Sequence, residues 1–391
     1  MPRPPPPPPP PPLRPKPLFA PPLSSGSTSP TTTSSSPPSS SSASASSSST
    51  AAHNSDYLWI SLLIGLSKAA AQAKAPPRVS PCDAEELHEA PTCLPADVKL
   101  NYRPVIGILS HPGDGASDRL NKAANASYIA ASYVKLVECA GARVIPLIYN
   151  EPKDILYKKV NLVNGVLFTG GWAKNGLYFE VVELIFKIVL RKNDAGDYFP
   201  LLAICLGFEL LSIIISKDNR VLEEFNAGSH ASTLQFVKNI DIKETVFQRF
   251  PPLLLKKLST ECLIMQHHHY GISPERFQNN KRLCNFFEIL TTSADKDNKV
   301  CVSTVKARRY PITAFQWHPE KNAFEWGLPT IPHSEDAVQV TQQVANFFVR
   351  EARKSMNRPS ARKILDNLIY NYIPTYCGKA GKGFDEVYIF T

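Results

Sequence analysis

From Tyr102 onward the chain alternates short apolar runs with longer amphipathic ones. PVIGIL (104–109) reads as a strand. SYIAASYVKLVECAGA (127–142) gathers Ala, Tyr, Val and Leu on one face at helical spacing, and Gly141 supplies a helix end. RVIPLIY (143–149) and VNGVLFTGG (163–171) read as strands, and GLYFEVVELIFKIVLRK (176–192) as a helix. LLAIC (201–205) reads as a strand, and LGFELLSIII (206–215) opens the next helix. Beyond 233, β-type runs such as TLQFV and CVSTV lead to ITAFQWHPE (312–320); 335–356 reads as a helix and 364–391 as extended and aromatic-rich. Continuous apolar strands alternating with helices predict an α/β fold, a mostly parallel sheet flanked by helices on both faces.

The start of the chain breaks this pattern. Residues 1–56 are almost wholly Pro, Ser, Thr and Ala, with unbroken proline over 4–12. Such a leader has no apolar face to bury and is expected to be disordered. Residues 57–75, YLWISLLIGLSKAAAQAKA, follow. Their uncharged run, Tyr57 to Leu66, falls short of the ~20 residues that span a bilayer and fits the apolar core of a signal peptide. Ala71-Gln72-Ala73 supplies the small-residue site after it. A signal displaced by 56 residues is unusual, and a plastid transit peptide is the alternative. The order of apolar core then small residues favours the secretory reading. Segment 76–100 reads as a linker, and 101–391 as one globular domain.

Composition narrows the function classes. The net charge of +9 is concentrated at the front: six cations against Asp56 give residues 1–80 a net +5. No basic stripe with interleaved aromatics follows, so nucleic-acid binding is not expected. Eight cysteines in 391 residues do not make a disulfide scaffold. Cys82 and Cys93 pair if the protein is secreted and remain free thiols otherwise. Asn125-Ala126-Ser127 is a single glycosylation sequon.

Three strand ends carry candidate chemistry, and in an open α/β sheet ligands gather at the carboxyl ends of strands. Cys205 stands between a strand and a helix, as at a nucleophile elbow. The N–H groups of the following helix point at its sulfur and are expected to favour thiolate, and Gly207 lets the turn pack closely. His318 ends the TAFQW run, Pro319 stops it, and Glu320 can hold the second ring nitrogen. Gly170 and Gly171 end a third strand, where a backbone N–H approaches a ligand and pairs with that of Leu206 as an oxyanion hole. The adjacent His267, His268 and His269 point in divergent directions without a carboxylate or thiol at ligand spacing, so no metal site is expected.

The order Gly-Gly, Cys, then His-Pro-Glu resembles the class I glutamine amidotransferase superfamily. A closer resemblance is to the plant γ-glutamyl hydrolases, which cleave folate polyglutamates. It is carried by RPVIGILSHPGDGA (103–116), YIAASYVK (128–135), LFTGGWAKNGLY (167–178), CLGFE (205–209), FQRFPPLLLKKL (247–258), FQWHPEKNAFEWG (315–327) and NLIYNYIPTYCG (367–378). The resemblance covers about 100–391 and implies that Cys205 is the nucleophile, His318 the base and acid, and Glu320 its orienting partner. It places Glu209, His268, Gly170, Trp172 and Lys174 at the substrate, with Lys174 as a cation facing a polyanionic tail. It implies no metal or organic cofactor, a homodimer, no stable membrane insertion after processing, and a vacuolar or extracellular location. Two departures stand out. His267 precedes His268 where the family has Asn, and Ala203 stands where many relatives have Gly. A glutaminase subunit and an inactive folate-polyglutamate-binding relative are the competing readings. Glu209 in place of the amidotransferase Gln, and the lack of an ATP-binding loop, argue against the first.

Overall fold

The computed structural model describes residues 97–115, 125–377 and 384–391. The leader, the 57–75 segment, Cys82 and Cys93 lie outside the described residues. In chain order the strands are β1 (Val105–Leu109), β2 (His111–Pro112), β3 (Ser127–Ala130), β4 (Arg143–Leu147), β5 (Val166–Phe168), β6 (Leu201–Ile204), β7 (Glu223–Ser232), β8 (Gln235–Phe236), β9 (Ile264–Gly271), β10 (Phe287–Ala294), β11 (Val300–Ala307), β12 (Ile312–Phe315), β13 (Thr375–Tyr376) and β14 (Glu386–Phe390).

The main sheet has the order β4-β1-β5-β6-β12-β11-β10-β8. Neighbours from β4 through β12 pair in parallel; β11, β10 and β8 complete it antiparallel. Side chains alternate across this sheet because a strand repeats every two residues. Val105, Leu109, Leu201 and Ala203 enter one core with the helices Gly176–Asp194 and Leu206–Ser216. Ile106, Ile108, Leu202 and Ile204 enter the other with the helices Ala131–Glu138 and Glu335–Arg353. Both faces are therefore covered, which is why the central strands are apolar throughout.

Several boundaries depart from the sequence pattern. The helix expected over 127–142 is shorter. Ser127–Ala130 is strand β3, paired with β14 and β2, and the helix starts at Ala131. Its partner β14 lies more than 250 residues away in sequence, so local spacing could not reveal the pairing. The 163–171 run contributes only Val166–Phe168, and TLQFV only Gln235–Phe236. The tail expected to be extended from 364 contains the last turn of the helix Ala361–Leu365 and a 3-10 turn, Ile369–Asn371, before β13. A separate two-stranded ribbon, β7 with β9, carries the histidine triplet to the mouth of the sheet.

Candidate active site

Cys205 occupies the turn between β6 and the helix Leu206–Ser216, with φ 51° and ψ −103°. A non-glycine residue held in such a conformation costs roughly 1–3 kcal/mol and persists only where its surroundings enforce it. Here they do. Its N–H donates to the Phe315 carbonyl on β12 at 2.7 Å, and its own carbonyl accepts from the Glu209 N–H at 3.0 Å. A Cβ on Gly207 would stand 2.9 Å from the Phe168 backbone oxygen and 3.2 Å from Cβ of Ala203. Glycine at 207 thus lets the helix meet β5 directly, with Ala203 already filling the space beside it.

The expectation of a ready thiolate is corrected. Burial pushes the Cys205 thiol well above its ordinary range, and the negative charges of Glu209 and Glu320 add to the shift. The Leu206 N–H does reach the sulfur, and Lys321 acts in the same sense, but together they do not offset the burial. Helix N–H groups favour a thiolate that water also solvates; Cys205 as a residue is 4% exposed. The resting thiol keeps its proton until a base removes it.

His318 supplies an imidazole with one engaged nitrogen and one open one. Its Nδ1–H donates to Glu320 Oε1 at 2.7 Å, while Nε2 is buried without a hydrogen-bond partner among the described residues. The ring lies three residues beyond the end of β12 rather than at its last position, and the His318 N–H is tied to the Met265 carbonyl of β9 at 2.9 Å. Burial alone would raise the Glu320 carboxyl. The charge and hydrogen bond of His318, with Lys321, outweigh it and hold the group below the usual carboxylate range. Glu320 therefore stays anionic and fixes the tautomer that leaves Nε2 free.

The thiol and the imidazole meet over Gly170. A Cβ there would lie 2.8 Å from the Tyr133 hydroxyl, 2.9 Å from Cε1 of His318 and 3.4 Å from Cβ of Cys205. The Gly170 N–H donates to the Tyr133 hydroxyl at 2.9 Å and is thereby occupied. Gly171 has φ 154°, and a Cβ on it would come within 2.3 Å of the His111 ring. Nε2 of His111 accepts from the Trp172 and Ala173 N–H groups at 3.0 and 3.2 Å. Its Nδ1–H donates to the Pro112 carbonyl at 2.8 Å. Burial lowers this imidazole to about 4, so it is neutral and accepts from both amides that shape the loop.

Glu209 and Lys174 form an ion pair at 3.0 Å inside the site. Gln316 donates to the other Glu209 oxygen at 3.3 Å, and the Lys174 ammonium lies 4.1 Å over the Tyr270 ring. Trp172 is exposed at the rim. His268 is buried on the inner face of β9, its ring nitrogens next to the Tyr270 carbonyl and Gln266. Burial, chiefly, lowers it to about 3. Alternation along the strand makes His267 the member of the triplet beside His318, with ring centroids 6.2 Å apart. Cys205, Leu206, Gly170, Gly171, Glu209, Lys174, His318 and Glu320 thus share one cleft, with His268 one layer behind it.

Pattern reading did not single out His111, Tyr133, Gln316 or Lys321. Tyr133 and His111 act on the Gly170–Ala173 loop from far along the chain, and Gln316 meets Glu209 across more than 100 residues, so local spacing does not reveal these contacts. A neutral thiol, an imidazole with one open nitrogen and an ionised carboxylate behind it make a nucleophile, a base and its orienter.

The peptidase C26 family model matches residues 104–320. Probable gamma-glutamyl hydrolase 3 of Arabidopsis thaliana is 65% identical over 314 residues, covering 78% of this chain and 89% of that protein. Gamma-glutamyl hydrolase of Glycine max is 55% identical over 308 residues, 78% of this chain and 90% of that one. Gamma-glutamyl hydrolase of Mus musculus is 38% identical over 293 residues, 74% of this chain and 90% of that one. With Cys205, His318 and Glu320 all inside or at the edge of the matched span, the chain belongs to the peptidase C26 family, together with these gamma-glutamyl hydrolases.

Proposed function

We propose that the protein is a cysteine hydrolase of γ-glutamyl amide bonds, acting on folate poly-γ-glutamates through a γ-glutamyl thioester. The observation that carries this reading is the junction of the Cys205 elbow with the His318–Glu320 pair, whose Cε1 stands in the same gap at Gly170 and whose neighbouring Nε2 is open. The similarity to named gamma-glutamyl hydrolases supports the bond that is cut.

His318 Nε2 takes the thiol proton as the sulfur attacks the γ-carbonyl carbon. Glu320 stays ionised and balances the imidazolium. The developing oxyanion accepts from the N–H groups of Leu206 and Gly171, since that of Gly170 is committed to Tyr133. The tetrahedral adduct collapses, the C–N bond breaks, and the imidazolium gives its proton to the leaving amine of glutamate or oligoglutamate. Water then enters, His318 removes its proton, and the C–S bond breaks to release the shortened folate and restore the thiol. Lys174 and Glu209 position the glutamyl group. The secretory route, to vacuole or exterior, rests on the 57–75 segment and on the exposed Asn125 of the sequon; the homodimer rests on the family resemblance.

The test is incubation of wild type and Cys205→Ala with pteroylpenta-γ-glutamate, with products followed by chromatography. Cleavage by wild type alone supports the reading, and the order of product lengths distinguishes endo from exo attack. Glutamine hydrolysis without polyglutamate cleavage overturns it in favour of a glutaminase, and tight binding without either reaction in favour of an inactive relative.

A further inference from the structure

The two strands that frame the catalytic centre have opposite ends with different chemistry. Cys205 and His318 follow the carboxyl ends of β6 and β12. At their amino ends, next to Leu201 and Ile312, lies a second cavity of about 520 Å³. A four-residue strand separates the two by roughly 13 Å along the sheet, so this cavity is not part of the cleft described above.

Its lining is strongly cationic. Arg249, Lys306, Arg308, Arg309, Arg350 and Lys354 face two carboxylates, Glu244 and Glu351. Those carboxylates are already engaged. Glu351 pairs with Lys354 at 2.7 Å and accepts from the Tyr198 hydroxyl, and Glu244 stands 4.0 Å from Lys306. Arg249, Arg308, Arg309 and Arg350 make no ion pair among the described residues, and of these Arg249 and Arg350 act on each other. They come from different elements, the 3-10 turn Val246–Arg249 and the helix Glu335–Arg353, and tertiary packing brings them together. Arg350 is half-buried, its guanidinium 5.6 Å from the centre of the Phe347 ring. Burial, and then the like charge of Arg249, hold Arg350 below its ordinary value, with Glu351 opposing. Two guanidinium groups facing one cavity repel unless an anion lies between them, and their forked donors suit oxyanions. Tyr198, Tyr310 and Phe347 also line the cavity, and their apolar surface lowers the local dielectric and strengthens such a contact.

We propose that this cavity is a binding site for a compact polyanion, one with at least two adjacent acidic groups, held between Arg249 and Arg350. Polyphosphates and short oligo-γ-glutamates share this chemistry.

Calorimetric titration of the full chain tests it, with inorganic tripolyphosphate in one arm and tri-γ-glutamate in the other. The expected result is saturable binding, one site per chain, in at least one arm; which arm binds identifies the source. The Arg249→Gln/Arg350→Gln pair should weaken it on the order of tenfold or more. Arg350→Lys, which keeps the charge and loses the fork, should fall between. Hydrolysis of a short γ-glutamyl substrate should be unchanged in these variants, which also reports that they fold. Arg362→Gln, on an exposed helix elsewhere, serves as the charge control. Equal weakening by Arg362→Gln, undiminished binding in the double variant, or no binding in either arm would overturn the proposal. Loss of hydrolysis in Cys205→Ala bears only on the catalytic reading, so the two can fail separately.

Discussion

Two regions of the molecule bury a cysteine and raise its thiol, yet only one of them is built for attack. At Cys301, the second residue of β11, burial pushes the thiol up to about 12, with Asp295 adding to the shift. At Cys205 burial acts in the same direction, with Glu209 and Glu320 adding to it. Burial and proton affinity therefore do not distinguish a nucleophile from a core residue here. The backbone and the neighbours do. Cys301 has ordinary strand conformation and packs with Phe225 and Ala227. Cys205 has positive φ, sits at a strand end and shares the gap at Gly170 with an imidazole whose Nε2 is open. The reactive thiol is made by what can take its proton.

The largest effect should come from exchanging the two cysteines for alanine one at a time. Cys205→Ala should abolish γ-glutamyl hydrolysis, a fall on the order of 10⁴ or more in kcat. Cys301→Ala should leave kcat within about twofold and lower stability by about 1 kcal/mol. Equal losses of activity would show that the contrast is false.

Glu320→Gln comes next. Replacing the carboxylate leaves the ring without its anionic partner and allows the wrong tautomer, so kcat should fall by roughly 10²–10⁴ with KM little changed. If KM rises and kcat holds, Glu320 serves binding rather than the base.

Alkylation by iodoacetamide sharpens the comparison further. In wild type Cys205 should label at neutral pH, because His318 is placed to take the thiol proton. In His318→Asn labelling should begin only above the ordinary thiol range, because nothing then offsets the burial. Native Cys301 should resist labelling throughout. Identical Cys205 profiles in the two proteins would remove His318 as the base.

A smaller effect concerns stability against pH. Buried His111 and His268 are lowered to about 4 and about 3, below the ~6.5 of an unfolded histidine. Their contribution is fully present above pH ~6.5 and is lost as pH falls toward those values, since unfolding then takes up protons. Glu320, also lowered, adds a second loss at lower pH, below ~4.3, as pH falls through its folded value. Urea midpoints should therefore decline from pH 7 to pH 5, and His111→Gln should flatten that decline. Parallel profiles would mean that His111 is not held neutral by the fold.

The smallest effect is expected for Tyr133→Phe. It removes the acceptor of the Gly170 N–H and should cost about 0.5–1.5 kcal/mol, up to about tenfold in kcat/KM. An unchanged rate would leave Tyr133 a packing residue only.

The sequence by itself determined the alternation that makes the sheet, because apolar runs buried on two faces leave little choice of architecture. It also marked Cys205, His318 and Glu320, each next to a local break in pattern that a core residue does not need. Tertiary structure decided the rest. It alone paired Ser127–Ala130 with the last strand, set His267 rather than His268 beside His318, and locked Lys174 onto Glu209. It also reversed the expected thiolate, since desolvation depends on what surrounds the sulfur and not on the helix that follows it. Local spacing encodes which residues share a face. Burial and partnership depend on segments far apart in the chain, and those two quantities set the protonation state on which the chemistry rests.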